Sequence, residues 1–252
     1  KKTAGLAHRR LAIVDLSDAA AQPFHYKDRY SIVYNGEIYN YVELKKELQK
    51  AGYHFKTDSD TEVIIAAFDY YKERCLQYLD GMFAFAIWDE VEQFLFAARD
   101  RFGEKPFYFH KEGDRFIFAS EMKAIWSAGV SKQIENRMLL NYITLGYVQN
   151  PAEKSQTFFK DIFSLAPAHY LILYKDELQI ERYWNIDKQL TIDITEEEAI
   201  YKLDELLASS VKRRLRSDVP VGISLSGGLD SSSLLDYMNQ EQGKSHAFSA
   251  VF

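Results

Sequence analysis

The chain has 252 residues, 47% hydrophobic and 15% aromatic, with 31 basic against 37 acidic side chains and a formal charge of −6. That is enough apolar material for one large core or two modest ones, and the charge balance gives no overall attraction for a polyanion such as nucleic acid. The single cysteine, Cys75, excludes an intramolecular disulfide and points to a reducing, cytoplasmic compartment, and no apolar run approaches the roughly 18 residues of a membrane span.

The opening Lys1-Lys2-Thr3-Ala4-Gly5 lacks an initiating Met, and the closing Ala247 to Phe252 stops inside an apolar strand, so both ends read as cut. Short β-branched and aromatic runs bounded by turn formers predict strands at Leu11–Leu16, Tyr30–Asn35, Phe83–Asp89, Gln93–Asp100, Pro106–His110 and Arg115–Ser120. In Phe83-Ala84-Phe85-Ala86-Ile87-Trp88 the phenylalanines and Ile87 share one face and the alanines and Trp88 the other. Both faces being apolar, the sheet is expected to be covered by a second sheet and by helices, a four-layer arrangement.

Two helices interrupt these strands. One should begin after Asn40, which with Glu43 has capping-box spacing, and end before Gly52, burying Leu44, Leu48 and Ala51. The other should begin after Ser59 or Asp60, with Ser59 and Glu62 again suitably spaced, and bury Ile64, Ala67, Phe68 and Tyr71. Cys75, beside Leu76 and Leu79, reads as a small buried hydrophobe rather than a nucleophile, because no His lies near it in sequence.

The pattern breaks over Asn185 to Leu190, which reads as a linker. From Thr195, with Glu198 three residues on, a capped helix should run to about Arg214. Its basic end, Lys212-Arg213-Arg214 with Arg216 beyond, complements the helix dipole. A strand, Val219 to Leu225, a helix from about Ser231 carrying Leu234, Leu235 and Met238, and a strand from His246 to Phe252 then open a parallel α/β domain. Ser226-Gly227-Gly228-Leu229-Asp230-Ser231-Ser232 sits at the strand-to-helix turn. Adjacent glycines let several N–H groups converge, the helix N-terminus adds its dipole, and the serines add hydroxyl donors. The Lys-Ser/Thr pair of the common P-loop is absent, so the turn suits pyrophosphate.

Three polar clusters stand at strand ends or helix starts in the first half: His8-Arg9-Arg10-Leu11, Asn35-Gly36-Glu37-Ile38-Tyr39-Asn40, and Asp58-Ser59-Asp60-Thr61-Glu62. An Arg can clamp an α-carboxylate, an Asp can accept from an α-ammonium, and Asn with a Gly N–H can donate to an oxyanion. Together they fit a free amino acid whose side-chain carbonyl is attacked.

With H-R-R-L-A-I-V-D-L-S, Gln22-Pro23, N-G-E-I-Y-N, S-D-T-E, G-M-F-A-F-A-I-W-D, A-R-D-R-F-G-E-K-P-F-Y-F and F-A-S-E-M-K-A-I in order ahead of S-G-G-L-D-S-S, the chain resembles the glutamine-hydrolysing asparagine synthetases. These are class II, N-terminal-nucleophile amidotransferases joined to an ATP-pyrophosphatase domain. The resemblance implies an αββα glutaminase domain over 1–187, a linker at 188–195 and the start of the synthetase domain at 196–252. It implies that Arg10 binds the glutamine carboxylate with Leu11, Ala12, Ile13 and Val14 lining the site, that Asn35 and Gly36 form the oxyanion hole, that Glu37 contacts substrate and that Asp60 holds the α-amino group. Ser226, Gly227, Gly228, Asp230 and Ser231 would grip ATP, Ser224 and Ala250 would contact adenine through main-chain atoms, and Asp230 would hold Mg²⁺. Glutamine, aspartate and ATP are the implied substrates, with no nucleic-acid or membrane partner and a homodimer as the assembly to test.

Three departures qualify this. The family's nucleophile is an N-terminal cysteine whose α-amino group is its base, and no Cys precedes Cys75, so it is expected upstream. The residues that would choose the acceptor lie beyond Phe252. Ser224 stands where a bulky apolar residue is usual, and Leu165-Ala166-Pro167-Ala168-His169 replaces a Pro-Pro-Gly turn. Alternatives are a relative that amidates another carboxylate, a β-lactam-synthetase-like enzyme without glutaminase, and a non-catalytic amino-acid-binding module.

Overall fold

A computed structural model describes residues 4–251. Lys1–Thr3 and Phe252, part of the expected opening and closing segments, lie outside the described residues.

Among the described residues, nine strands and four α-helices build the first part of the chain, to Arg182. A six-stranded antiparallel sheet runs in the order β1 (Phe24–Tyr26), β2 (Tyr30–Ile38), β3 (Gly81–Asp89), β4 (Phe94–Arg99), β8 (His169–Tyr174), β9 (Glu177–Arg182). A second sheet is ordered β6 (Arg115–Ala119), β5 (Tyr108–Glu112), β7 (Phe163–Ser164). The alternation in β3 divides two cores as expected. Phe83, Phe85 and Ile87 join a cluster with α1 (Tyr41–Lys50) and α2 (Asp60–Tyr71) that includes Leu44, Leu48, Ile64 and Phe68. Ala84, Ala86 and Trp88 face the second sheet, meeting Phe107 and Phe109. Alanines at these positions let the sheets approach, while Phe107 and Phe118 stack with centroids 5.4 Å apart to fill the space. The short helix α3 (Met122–Ser127) lies against β5 and β6, and α4 (Asn136–Leu145) follows it.

Several expectations are corrected. Leu11–Leu16 is not a strand but an irregular segment, because its carbonyls are taken by Arg10 rather than by a ladder: Arg10 Nη2 donates to Val14 O (2.6 Å) and Asp15 O (2.7 Å). The strand expected at Pro106 starts at Tyr108. Asn40 precedes α1 without capping it through its side chain; its amide instead donates to Tyr78 O (2.8 Å) and accepts from Asp80 N (2.9 Å), tying down the approach to β3. Ala51 is exposed, being the residue after the last helical turn. Ser59 caps α2 by accepting from Thr61 N (3.2 Å), but Glu62 turns away to accept from Thr57 N (2.8 Å) and Thr57 Oγ1 (2.7 Å). The segment Asp60–Phe68 is buried on every side, so α2 has no polar face there.

After a stretch without regular elements comes α5 (Glu196–Arg214), whose capping box between Thr195 and Glu198 forms as the spacing requires. Then β10 (Gly222–Ser224), α6 (Leu229–Gln242) and β11 (His246–Phe248) make a β–α–β unit with the strands parallel. The helix begins two residues ahead of the expected Ser231, at Leu229, and only Met238 of its apolar residues is buried. Among the described residues no helix is long and apolar enough to cross a membrane.

Candidate functional site

Asp60 anchors the site. Lying in the first turn of α2, it is 6% exposed, and its Oδ2 accepts from Tyr34 OH (2.8 Å) and Ile38 N (2.9 Å). Burial raises its pKa, opposed by those two donors. Tyr34 is held well above its ordinary value, chiefly by burial and then by Asp60, so its hydroxyl stays a donor. Both of those bonds land on Oδ2, and the Thr61 N–H also favours the carboxylate, so the donors around it are all neutral. A buried carboxylate with a raised pKa and, among the described residues, no cation paired with it is a site that an incoming ammonium would relieve.

Opposite, β2 supplies Asn35, Gly36 and Glu37. Gly36 sits at φ 152°, and a Cβ there would lie 2.1 Å from Met82 O and 2.8 Å from Phe83 Cα, so no other residue fits between β2 and β3. The side-chain amide of Asn35 lines the cavity and has no hydrogen-bond partner among the described residues. Burial and the Asp60 charge raise Glu37, while Lys105 pulls it down.

These residues, with Arg10, Leu11, Ile13 and Val14, line one cavity of about 820 Å³ whose wall also includes residues of β3 and β6. Ala12 does not line it. Arg10 is braced by the carbonyls of its own segment, which aims the guanidinium and leaves donors for a carboxylate.

Further wall residues were given no role of their own from sequence. Gln22 Oε1 accepts from Tyr34 N (2.6 Å), closing the wall behind Asp60. His8 is held below its ordinary value by burial and the nearby Arg10 charge, and its Nδ1 is buried without a partner. Lys105 arrives on a loop built by Asp100, whose fully buried carboxylate accepts from Phe102 N (3.0 Å), Glu104 N (2.9 Å) and Lys105 N (3.0 Å). Arg99 completes that loop by donating to Gly103 O (2.7 Å) and Lys105 O (2.6 Å). Much of A-R-D-R-F-G-E-K is thus loop scaffolding, and Tyr34, an apolar strand residue to the eye, carries a hydroxyl into the site.

Cys75 takes no part. It is fully buried, its thiol is pushed up by burial, and it does not line the cavity.

The second sequence-marked site is the turn between β10 and α6. Gly227 adopts φ 81°, Ser226 Oγ and Ser231 Oγ lie 3.1 Å apart, and Ser226 Oγ accepts from Gly228 N (3.4 Å). Asp230 stands exposed in the first turn of α6. Ser224 at the end of β10 pairs with Phe248, and Ala250 follows β11, so both lie at the C-terminal ends of the parallel strands, beside the turn. Among the described residues no three His, Cys, Asp or Glu side chains cluster to hold a metal.

A model of the glutamine amidotransferase domain matches residues 1–184. The chain belongs to the glutamine amidotransferase domain family. A model of asparagine synthase matches residues 202–252. Similar curated proteins include asparagine synthetase [glutamine-hydrolyzing] 3 of Bacillus subtilis, 43% identical over 90% of this chain and 37% of that protein. Another is a putative asparagine synthetase [glutamine-hydrolyzing] 2 of Methanocaldococcus jannaschii, 38% identical over 98% of this chain and 51% of that protein. The chain therefore spans between about a third and a half of the length of these relatives. Among solved structures, the allosteric regulatory enzyme of purine biosynthesis matches with a TM-score of 0.50 at 19% identity, covering 96% of this chain and 50% of that one; the likeness is one of fold.

Proposed function

We propose that the cavity of this amidotransferase domain binds glutamine, and that the protein to which the chain belongs transfers the released ammonia to an ATP-activated aspartate, forming asparagine. The observation that carries the first half is the convergence of Arg10, Asn35, Gly36, Glu37 and Asp60 on one cavity. Arg10 would take the α-carboxylate, Asp60 the α-ammonium, and Asn35 with the Gly36 N–H the oxyanion that forms when the side-chain carboxamide is attacked. Glu37 would contact the substrate beside them. The nucleophile would be an N-terminal cysteine thiol upstream of this chain, since Cys75 is buried away from the cavity. Its sulfur bonds the carboxamide carbon, the C–N bond breaks, ammonia leaves with the proton supplied by the α-amino base, and water then releases glutamate.

The reading of the second half rests on the β10–α6 turn and the asparagine synthase match at 202–252. The boundaries 1–187, 188–195 and 196–252 divide the two activities. Ser226, Gly227, Gly228 and Ser231 would cradle the phosphates of ATP at the N-terminus of α6, with Ser224 and Ala250 beside the adenine. Asp230 is a single exposed carboxylate, which suits Mg²⁺ only when phosphate oxygens supply most of the ligands; bound there, the metal would neutralise pyrophosphate charge. The aspartate β-carboxylate would attack the α-phosphorus, pyrophosphate would leave, and ammonia would displace AMP from β-aspartyl-AMP.

The test begins with intact mass and N-terminal peptide mapping of the full-length protein. Glutamate, pyrophosphate and asparagine are then measured with glutamine, aspartate and ATP. The reading expects an N-terminal cysteine and equal yields of the three products. Glutamine left intact would refute the glutaminase half, and glutamate without asparagine would redirect the acceptor to another carboxylate.

A further inference from the structure

The glutamine-side segment is not held by its own domain alone. Asp15 is its node. It adopts a left-handed backbone conformation (φ 56°), its carbonyl accepts from Arg10, its Oδ1 accepts from Ser17 N (3.1 Å) and Ser17 Oγ (2.6 Å), and its Oδ2 accepts from Asp58 N (2.9 Å). One residue thus joins the arginine that faces the carboxylate end of the cavity to the approach to Asp60, which faces the amine end. Its remaining backbone group, the N–H, donates to Asp218 Oδ2 (2.7 Å), 203 residues later, and Asp218 N returns a bond to Ile13 O (2.9 Å).

Asp218 belongs to the segment between α5 and β10, which leads into the S-G-G-L-D-S-S turn. That segment is fastened to the amidotransferase domain by the basic residues read from sequence as dipole complements. Arg216 pairs with Glu43 Oε1 and Oε2 (both 2.5 Å) and donates to Tyr39 O (2.7 Å), Arg213 reaches Asp80 (2.8 Å), and the Arg214 guanidinium lies 4.6 Å from the centre of the Tyr39 ring. The basic end of α5 therefore grips the residues just past Glu37 and Ile38, and Asp218 is delivered to Asp15 in a defined place.

We infer that Asp218 is a positioning residue for the glutamine pocket: by accepting from Asp15 N it holds the left-handed turn that sets Arg10 and the approach to Asp60 in register. A non-glycine residue in that conformation costs roughly 1 kcal/mol, so the turn persists only when its groups are pinned from outside. The inference rests on the glutamine reading of the cavity.

The experiment uses the full-length protein with Asp218→Ala and Asp218→Asn. It measures kcat and KM for glutamine by glutamate release, with ammonia-dependent pyrophosphate release from ATP and aspartate as a parallel readout of the other half. Asp218→Ala removes the acceptor while keeping the backbone bond to Ile13. It is expected to raise the glutamine KM roughly three- to tenfold, as loss of one net hydrogen bond implies, with kcat changed by less than about twofold. Asp218→Asn retains an acceptor oxygen and is expected to restore KM. An unchanged KM in Asp218→Ala, or an equal rise in both variants, overturns the inference, as does a parallel fall in the ammonia-dependent rate. A wild-type protein that leaves glutamine intact defeats the glutamine reading itself, and the inference with it.

Discussion

Replacing Gly36 by alanine probes the element on which the proposed oxyanion site depends. The added Cβ would stand 2.1 Å from Met82 O and 2.8 Å from Phe83 Cα, both backbone atoms of a central strand, and the residue would keep φ 152°. Overpacking of a tight site costs about 1–3 kcal/mol, and a disfavoured backbone region about 1–3 kcal/mol more, giving roughly 2–6 kcal/mol in total. For a chain of this size that is a fall in Tm on the order of 5–20 °C. Gly113→Ala is the control, because Gly113 also has positive φ (57°) but nothing within 4 Å of its Cβ. It should lose only about 1 kcal/mol. Thermal unfolding of the two variants, followed by calorimetry, separates the β2–β3 contact from the backbone preference. A Gly36→Ala protein no less stable than Gly113→Ala would show that β2 and β3 can part there without cost, and the reasoning from close approach would fail.

Because burial raises Asp60 in the folded protein, the native state binds that proton more tightly than the unfolded chain does. Its ionised form therefore costs stability, a cost absent below the ordinary carboxylate range and developed as pH rises through the raised value. Asp60→Asn, which keeps an acceptor for Tyr34 and Ile38, should melt higher than the parent at pH 7, lose that advantage in acid, and bind glutamine more weakly; a lower Tm at pH 7 would contradict this. Gly227→Ala, at φ 81° with open space around it, should cost about 1 kcal/mol in the phosphate turn and weaken ATP binding about fivefold in a calorimetric titration, leaving glutamine affinity unchanged. Arg29→Ala should lower the urea-unfolding free energy by about 2 kcal/mol, since Arg29 makes three contacts of 2.7–3.1 Å to Asp89, which would keep only backbone donors in a nearly buried position; a loss under about 0.5 kcal/mol would place that pair among inert surface ion pairs.

Local periodicity and turn chemistry were enough to locate β3 and its two opposed faces, α1, the Thr195–Glu198 capping box, and the glycine turn ahead of α6. Each of these depends on residues within one or two turns of chain. The polar clusters around Arg10, Asn35 and Asp60 were equally visible, because charged and amide side chains at the ends of apolar strands announce themselves. Where a side chain had two partners to choose between, sequence spacing failed. Asn40 and Glu62 had the spacing for caps, yet Asn40 bonds Tyr78 and Asp80, which only the folded chain brings near, and Glu62 reaches back past Ser59 to Thr57. The segment Leu11–Leu16 had strand composition, but a guanidinium one residue ahead of it captured its carbonyls. Tyr34 and Gln22 entered the cavity wall through hydrogen bonds to residues beyond their own elements, and Lys105 through a local loop whose shape depends on which backbone groups the Asp100 and Arg99 side chains take. The basic end of α5 shows the same limit: a helix dipole explains cations there from sequence alone, but Glu43, Asp80 and Asp15 become their neighbours, and that of Asp218, only when residues more than a hundred positions apart are folded together. The types of residue that could do the chemistry were written in the chain; which of them meet, and what holds them, was decided by long-range packing.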